Sequence, residues 1–226
     1  GDFRIRLSST EPCSELPRLV AVMRRNPRIC RFLHIPVQYG EDTLLAAMGR
    51  PYTVAEFEDL AHGAVEAVPG LCLGTDIVVG FPGETDATFS ICRETVSRLP
   101  IANLHVFRYS PRPGTPAATY PHQVHGRLAA ERHRALTEIE QGKAEAFAHR
   151  QLGRQVEVLT EQRNEEGRWE GWSDNYLRVE LTDTPPHLGA NALVSAEIQA
   201  VRRGRHVQGG LTLCRHTKAS GGQSAH

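Results

Sequence analysis

No cysteine in this chain has another within three residues of it; Cys13, Cys30, Cys72, Cys92 and Cys214 each stand alone. That excludes the CxxC and CxxxCxxC spacings from which neighbouring thiols build a zinc ribbon or an iron–sulfur loop. It leaves core thiols in a reducing compartment as the simpler reading. No apolar run approaches the roughly twenty residues of a membrane helix, and no charged leader precedes an apolar stretch, so the expectation is a cytoplasmic protein with no membrane partner. Net charge is missing too. The 26 basic and 26 acidic side chains cancel, and they cancel again within residues 1–150 and within residues 151–226. Bulk charge therefore gives no argument for a nucleic-acid partner, although a local basic patch stays open. Lysine is scarce, with only Lys143 and Lys218. A compositional bias towards arginine explains this better than selection for bidentate phosphate contacts.

What is present is a chain long enough for two domains. Residues 74–84, Gly-Thr-Asp-Ile-Val-Val-Gly-Phe-Pro-Gly-Glu, are an apolar run that stops in a glycine and proline turn. Ile77, Val78 and Val79 show no polar alternation, which predicts a parallel strand covered on both faces and ending in a ligand-facing loop. Further strands are predicted over 4–7, 32–37 and 103–109. Between them lie helical patterns: Leu16, Leu19, Val20 and Met23 at helical spacing; Thr53 and Glu56 as a capping box ahead of Phe57, Leu60, Ala61, Ala64, Val65 and Val68; then Phe89, Cys92, Val96 and Leu99. A proline-rich loop over 110–116 follows the fourth strand, and a long helix over about 127–151 places Leu128, Ala135, Ile139 and Ala146 inward. Strand and helix in alternation imply a parallel sheet with right-handed crossovers. The first predicted strand begins so early that the chain is expected to start inside a fold.

After Gly153 the texture changes to short runs at 155–159, 167–172, 176–181 and 192–198, separated by Gly, Asn, Asp and Pro clusters. That pattern predicts a small closed barrel. Residues from 217 onward lack the apolar content to fold.

Four segments carry a resemblance in their order and spacing. They are Arg4-Ile5-Arg6-Leu7-Ser8-Ser9 with Glu11-Pro12; Leu33-His34-Ile35-Pro36-Val37-Gln38 with Met48, Arg50, Tyr52 and Thr53; Gly74-Thr75-Asp76 through Gly80-Phe81-Pro82-Gly83-Glu84-Thr85; and Leu104-His105-Val106-Phe107 through Tyr109-Ser110-Pro111-Arg112-Pro113-Gly114-Thr115-Pro116-Ala117. Together these resemble the radical S-adenosylmethionine methylthiotransferases, and Gly153-Arg154 with residues 171–176 is similar to the TRAM module that closes those enzymes. The resemblance implies an α/β fold: the last four strand-helix units of a partial radical SAM (βα) barrel over 1–150, a small all-β TRAM RNA-binding barrel over 151–215, and a disordered tail over 216–226. It further implies methylthiolation of N6-threonylcarbamoyladenosine beside the anticodon of tRNA, with the isopentenyladenosine and ribosomal-protein branches as alternatives. S-adenosylmethionine and 4Fe–4S clusters are the implied cofactors and tRNA the implied partner.

Several of the family's features are not in this sequence. The amino-terminal domain with three cluster cysteines and the CxxxCxxC loop are both missing, so no residue is assigned as catalytic or metal-ligating and the chain is expected to be inactive alone. Tyr39 stands where the family usually has serine, and Gly49 where a basic residue is common. Two other readings stay open: an RNA-binding remnant acting through the barrel, and a subunit whose edge at 4–7 pairs with a separate cluster-bearing chain.

Site residues follow from the resemblance, each with a plainer alternative. Ser8 and Ser9 bond the cofactor ribose or carboxylate, or simply form a helix-entry turn. His34 and Gln38 face the ligand from a strand end, or His34 is a satisfied core group. Asp76 meets the cofactor amine or an arginine, or faces an edge, since its apolar run cannot cheaply bury a lone carboxylate. Gly80, Pro82 and Gly83 lie against the adenine, and Glu84 favours the following helix's positive end. For RNA, Arg112 grips a phosphate or the carboxylate of the modified base, or is simply solvent-exposed, Trp172 and Tyr176 stack on bases or fill the barrel core, and Arg202, Arg203 and Arg205 form a phosphate patch.

Overall fold

The computed structural model describes residues 3–214, which separate into two compact units: Ile5–Phe147, and the residues that flank it. The tail expected at 216–226 lies outside the described residues. Among those described, no helix is long and apolar enough to cross a membrane.

Within Ile5–Phe147 the order is α1 (Leu16–Arg25), β1 (Phe32–His34), α2 (Asp42–Ala47), α3 (Val54–Ala67), β2 (Cys72–Val79), α4 (Asp86–Arg98), β3 (Asn103–Arg108), a 3-10 turn (Pro116–Thr119) and α5 (Gly126–His149). Local chemistry sets the boundaries. The Thr53 hydroxyl accepts from the Glu56 amide at 3.2 Å, and the Glu56 carboxylate accepts from the Thr53 amide at 2.8 Å, opening α3 as its sequence predicts. α4 repeats the device with Thr85 and Thr88 and stops before Pro100. The short α2 is unforeseen. Its cap is the Glu41 carboxylate, which accepts the Thr43 and Leu44 amides at 3.0 and 3.1 Å. Burial raises the Glu41 carboxyl, but these hydrogen bonds outweigh it and hold it below its ordinary range.

The three strands form a parallel sheet in the order β1-β2-β3. Register pairs His34 with Gly74, Gly74 with Asn103 and Asp76 with His105. Side chains alternate across such a sheet, so its two faces differ completely. Leu33, Leu73, Ile77, Val79 and Leu104 point into one apolar cluster together with Leu16 and Val20 of α1, Leu45 of α2, Phe57 of α3, Val96 of α4 and Leu136 of α5. Every helix thus contributes to the layer on that face. Each fully buried residue of this kind is worth about 1.5–3 kcal/mol, so a one-residue slip that drove Asp76 into the layer is strongly disfavoured. The opposite face carries Phe32, His34, Cys72, Gly74, Asp76, Val78, Asn103, His105 and Phe107.

Several expectations need correction. Residues 4–7 are not a strand: Ile5 alone bridges Ile29, in the loop before β1, and the chain then turns so that the Thr10 amide reaches the His34 carbonyl at 2.9 Å. Three strands therefore make the sheet, not four. The strand expected over 32–37 ends at His34 because Pro36 has no amide and the Val37 amide is claimed by the Thr75 hydroxyl at 2.9 Å. β2 is not covered on both faces, since Asp76 and Val78 are half-buried and Phe107 beside them is half-exposed. The inner stripe of α5 is Ala129, Arg132, Leu136, Ala144 and Phe147, whereas Ala146 is exposed.

The second unit is a five-stranded closed barrel of β4 (Gln155–Arg163), β5 (Trp169–Ser173), β6 (Arg178–Thr182), β7 (Leu193–Arg203) and β8 (His206–Cys214), in the order β4-β5-β6-β8-β7. All neighbours are antiparallel except β6 with β8. Val156, Val158, Val179, Leu181, Val194, Ala196, Ile198 and Val207 fill the interior. The closed barrel is as expected, but β8 is an addition, and Tyr176 sits in the turn ahead of β6 with a φ of 66°.

Candidate functional site

The face of the sheet opposite the apolar cluster gathers polar side chains from all three strands. The Asp76 carboxylate sits between two imidazoles, with Oδ1 at 3.0 Å from His34 Nε2 and 3.2 Å from His105 Nδ1. The two rings stack at 5.2 Å between centroids. Gly74 makes this possible, because a β-carbon there would lie 2.6 Å from His34 Nδ1. Burial raises the Asp76 carboxyl, but hydrogen bonding and charge from His34, and then from His105, outweigh it and hold the group below the usual carboxylate range. His34 is buried, Asp76 half-buried and His105 nearly half exposed, so the cluster opens to one side. Asn103 Nδ2 lies 3.3 Å from the remaining nitrogen of His105.

Gln38 meets β2 one residue beyond Asp76. It rejoins β2 by one bridge to Ile77, donating its amide to the Asp76 carbonyl at 2.9 Å and accepting from the Val78 amide at 2.8 Å, with a φ of 72°. A non-glycine residue held in that region is a strained position fixed by its surroundings. Ser8 and Ser9 are exposed, in the segment tied to β1 through the Thr10 amide and the His34 carbonyl. The sequence reading thus named His34, Gln38 and Asp76 but not His105. Its signal was available in the register: His105 is the direct neighbour of Asp76 on the same sheet face.

Gly80, Pro82 and Gly83 form the turn after β2, and a buried polar network holds that turn. The Glu84 carboxylate accepts the Gly80 amide at 2.6 Å, the Tyr39 hydroxyl at 2.8 Å and Arg132 Nη1 at 2.8 Å, with the Glu84 side chain fully buried. Glu84 therefore does more than favour a helix end. Gly80 has a φ of 79° and packs on α5, where an added β-carbon would lie 2.7 Å from that of Ala129. Pro82 is buried; Gly83 is exposed and donates its amide to the His122 carbonyl at 3.0 Å. Burial pushes the Tyr39 phenol well above its ordinary range, with Cys92 and Glu84 adding to the effect. Burial also pushes the Cys92 thiol up to about 12. For Arg132, burial works downward, but bonding to Asp86 and the charge of Glu84 prevail and raise it. Tyr39 at the position usually held by serine is thus half of a tyrosine–glutamate pair.

In the barrel unit Trp169 is core, whereas Trp172 and Tyr176 are half-buried and stack face to face, 4.7 Å between centroids and 17° apart. Arg178 lies over Trp172 at 5.6 Å and Arg205 over Tyr176 at 5.5 Å, so the aromatic pair is flanked by an arginine on each member. Arg178 is itself paired with Glu161 and Glu170. Arg202 and Arg203 are exposed at the end of β7, where Arg202 donates to Gln208 at 2.9 Å. Arg112 is exposed in the proline loop, which folds back as the Thr115 amide reaches the Arg112 carbonyl at 3.2 Å.

No family model matches the chain. Over 181 residues it is 37% identical to the threonylcarbamoyladenosine tRNA methylthiotransferase MtaB of Thermotoga maritima, a match covering 80% of this chain and 42% of that protein. The Bacillus subtilis protein of the same name is 35% identical over 193 residues, covering 84% and 43%. The tRNA-2-methylthio-N(6)-dimethylallyladenosine synthase of Nitrosospira multiformis is 34% identical over 216 residues, covering 92% and 45%. The chain thus spans about two fifths of the length of the curated relatives it matches. Among solved structures, the coproporphyrinogen III oxidase HemN of Escherichia coli, a radical SAM enzyme, aligns with a TM-score of 0.53 at 11% identity, covering 86% of this chain and 46% of that one. That likeness is one of fold.

Proposed function

This chain belongs to the MtaB-like methylthiotransferase family, and from that membership we propose that it is the carboxyl-terminal part of a radical SAM enzyme that methylthiolates N6-threonylcarbamoyladenosine beside the anticodon of tRNA. The observation that carries the reading is the sheet face where His34, Asp76 and His105 meet, opposite the apolar cluster. A parallel strand that ends in a polar cluster beside a glycine turn suits a ligand that is part amino acid and part nucleoside. In this assignment Asp76 accepts from the ammonium of S-adenosylmethionine, while His34, Gln38, Ser8 and Ser9 bond its carboxylate and ribose. Gly80, Pro82 and Gly83 form the wall at the carboxyl end of β2. When bound, one S-adenosylmethionine would supply, on one-electron reduction by a 4Fe–4S cluster held outside this sequence, the radical that activates an adenine ring carbon, and a second would supply the methyl group.

The residues fit that cofactor but not a 4Fe–4S cluster. Cys13 is exposed, Cys30, Cys72 and Cys92 are buried, and the group of potential metal ligands gathered among the described residues contains no thiol. Cluster ligands are therefore assigned to protein outside this sequence, on the same or a separate chain. Iron and sulfide reconstitution of this chain alone is expected to yield no cluster absorbance, and a stoichiometric cluster would refute the assignment. For the reaction, the complete reading frame that contains this chain is expressed in a bacterium lacking its own enzyme, and digested tRNA is read by mass spectrometry. Methylthio-threonylcarbamoyladenosine is the expected product; methylthio-isopentenyladenosine would move the chain to the neighbouring branch.

The barrel is read as a TRAM module that grips tRNA. The stack of Trp172 and Tyr176, flanked by Arg178 and Arg205, supports this, because base-stacking platforms combine aromatic faces with guanidinium planes. Arg112, Arg202 and Arg203 are assigned to phosphates. The same stack supports a second reading, an RNA-binding remnant. Salt-dependent tRNA binding by this chain in the absence of any cofactor, weakened by Trp172→Ala, would favour it.

A further inference from the structure

We propose that His34, Asp76 and His105 form a mononuclear site for a divalent transition-metal ion, held by two imidazoles and one carboxylate. The donor geometry is the first argument. Atoms bound to one ion at about 2.0–2.2 Å lie roughly 3.0–3.5 Å apart, and Asp76 Oδ1 lies 3.0 and 3.2 Å from the two imidazole nitrogens. All three donor atoms fall within 4.8 Å of one another. Both oxygen–nitrogen separations thus match those of donors on one ion.

The scaffold is the second argument. Each donor comes from a different strand of one parallel sheet, so the backbone ladder fixes their spacing before any ion arrives. Gly74, directly beside His34 in the register, leaves the room that its ring occupies. Asn103 reaches the second nitrogen of His105, at 3.3 Å. A metal at Nδ1 requires the proton on Nε2, and Asn103 accepts that proton by turning its amide oxygen to the ring; such a partner fixes tautomer and orientation at metal-bound histidines.

The third argument is access. His34 is buried, but the Asp76 side chain is 21% and the His105 side chain 48% exposed, so an ion enters from the open side and keeps free coordination positions there. Two imidazoles and one carboxylate suit iron(II), cobalt(II), nickel(II) or zinc(II) rather than magnesium or calcium. With one carboxylate the centre is left with a net positive charge, which favours an anionic or electron-rich ligand in the free positions. Asp76 and His34 are the groups that the proposed function gives to S-adenosylmethionine, so ion and cofactor compete for them, and because thiolates play no part the site is separate in chemistry from any iron–sulfur cluster.

Cobalt(II) is the probe. The tag-free chain is stripped with chelator and titrated with cobalt(II) in the absence of S-adenosylmethionine, following visible d–d bands and calorimetry. One equivalent is expected to bind, with zinc(II) displacing it. His105→Ala and Asp76→Asn are each expected to weaken cobalt binding at least tenfold, whereas His62→Ala, on the exposed side of α3, leaves it unchanged. Far-ultraviolet circular dichroism checks each variant's fold; His105 is exposed enough that His105→Ala alone decides the question if Asp76→Asn unfolds. No uptake at one equivalent, or uptake that His105→Ala leaves intact, overturns the proposal. Binding of S-adenosylmethionine is measured separately on the metal-free chain, so that its failure bears on the cofactor assignment and not on the metal site.

Discussion

Replacing Arg132 by methionine strips Glu84 of the guanidinium it faces, and the structure sets the size of the effect. The Arg132 side chain is 3% and the Glu84 side chain 0% exposed, so the pair is fully inside the protein. Breaking one partner of such a pair costs about 3–5 kcal/mol, because a charge is left without compensation. Methionine retains much of the stem volume, which keeps the cavity contribution small. The Tyr39 hydroxyl and Gly80 amide still reach the carboxylate, which argues for the lower end, about 3 kcal/mol. Breaking the ion pair with Asp86 adds little, since that carboxylate is 93% exposed. In a unit of this size the shift corresponds to a melting-temperature drop of roughly 10 °C. Urea unfolding followed by far-ultraviolet ellipticity reads this unit, because the helices begin within it, while the fluorescence of Trp169 and Trp172 reads the barrel. Adding Glu84→Gln to Arg132→Met is expected to recover at least about 1.5 kcal/mol, as removing the stranded charge should. A loss under about 1 kcal/mol in the ellipticity transition, or no recovery in the double variant, would refute the account of the network.

Gly80→Ala is expected to cost about 1–3 kcal/mol for the positive φ alone; pairing it with Ala129→Gly relieves the 2.7 Å contact but leaves the backbone cost, a difference that urea unfolding resolves. Asp76 is a carboxyl held below its ordinary range, so its stabilisation is present above the unfolded pKa of about 3.9 and is lost as pH falls through the lower folded value. The stability gap between the native chain and Asp76→Asn, measured in chelator, is therefore expected to narrow below about pH 4; a gap that widens there contradicts the assignment. Replacing Arg202, Arg203 and Arg205 by glutamine is expected to flatten the logarithmic salt dependence of tRNA binding by about 0.7–0.9 for each phosphate that is no longer neutralised. Trp172→Ala instead lowers affinity by about 1–3 kcal/mol at every salt concentration without changing that slope.

Elements whose signals are local could be read from the chain. The Thr53 and Glu56 box marks the start of α3, the run at Ile77 to Val79 marks β2, and the glycine and asparagine punctuation after Gly153 marks a barrel. Interactions that depend on distant partners could not. Glu84 and Arg132 stand 48 residues apart, and an arginine on the inner stripe of α5 reads as a break in the apolar pattern until its partner is known. β8 carries Gly209 and Gly210 in its middle, which lowers its strand propensity although both pair with β7. Residues 4–7 alternate like a strand, but only Ile5 finds a bridging partner. His105 was legible as part of a motif and not as a site residue, because its meaning comes from the register with Asp76.

The pairing of β8 also sets an order on synthesis. It lies between β6 and β7, and it is the last strand described. Until residues 206–214 have left the ribosome, β6 and β7 each keep one edge without a neighbour, so the barrel closes late however early its first four strands are made. A nascent chain halted at residue 205 would present two sticky edges, and a short peptide copying β8 would be their natural competitor.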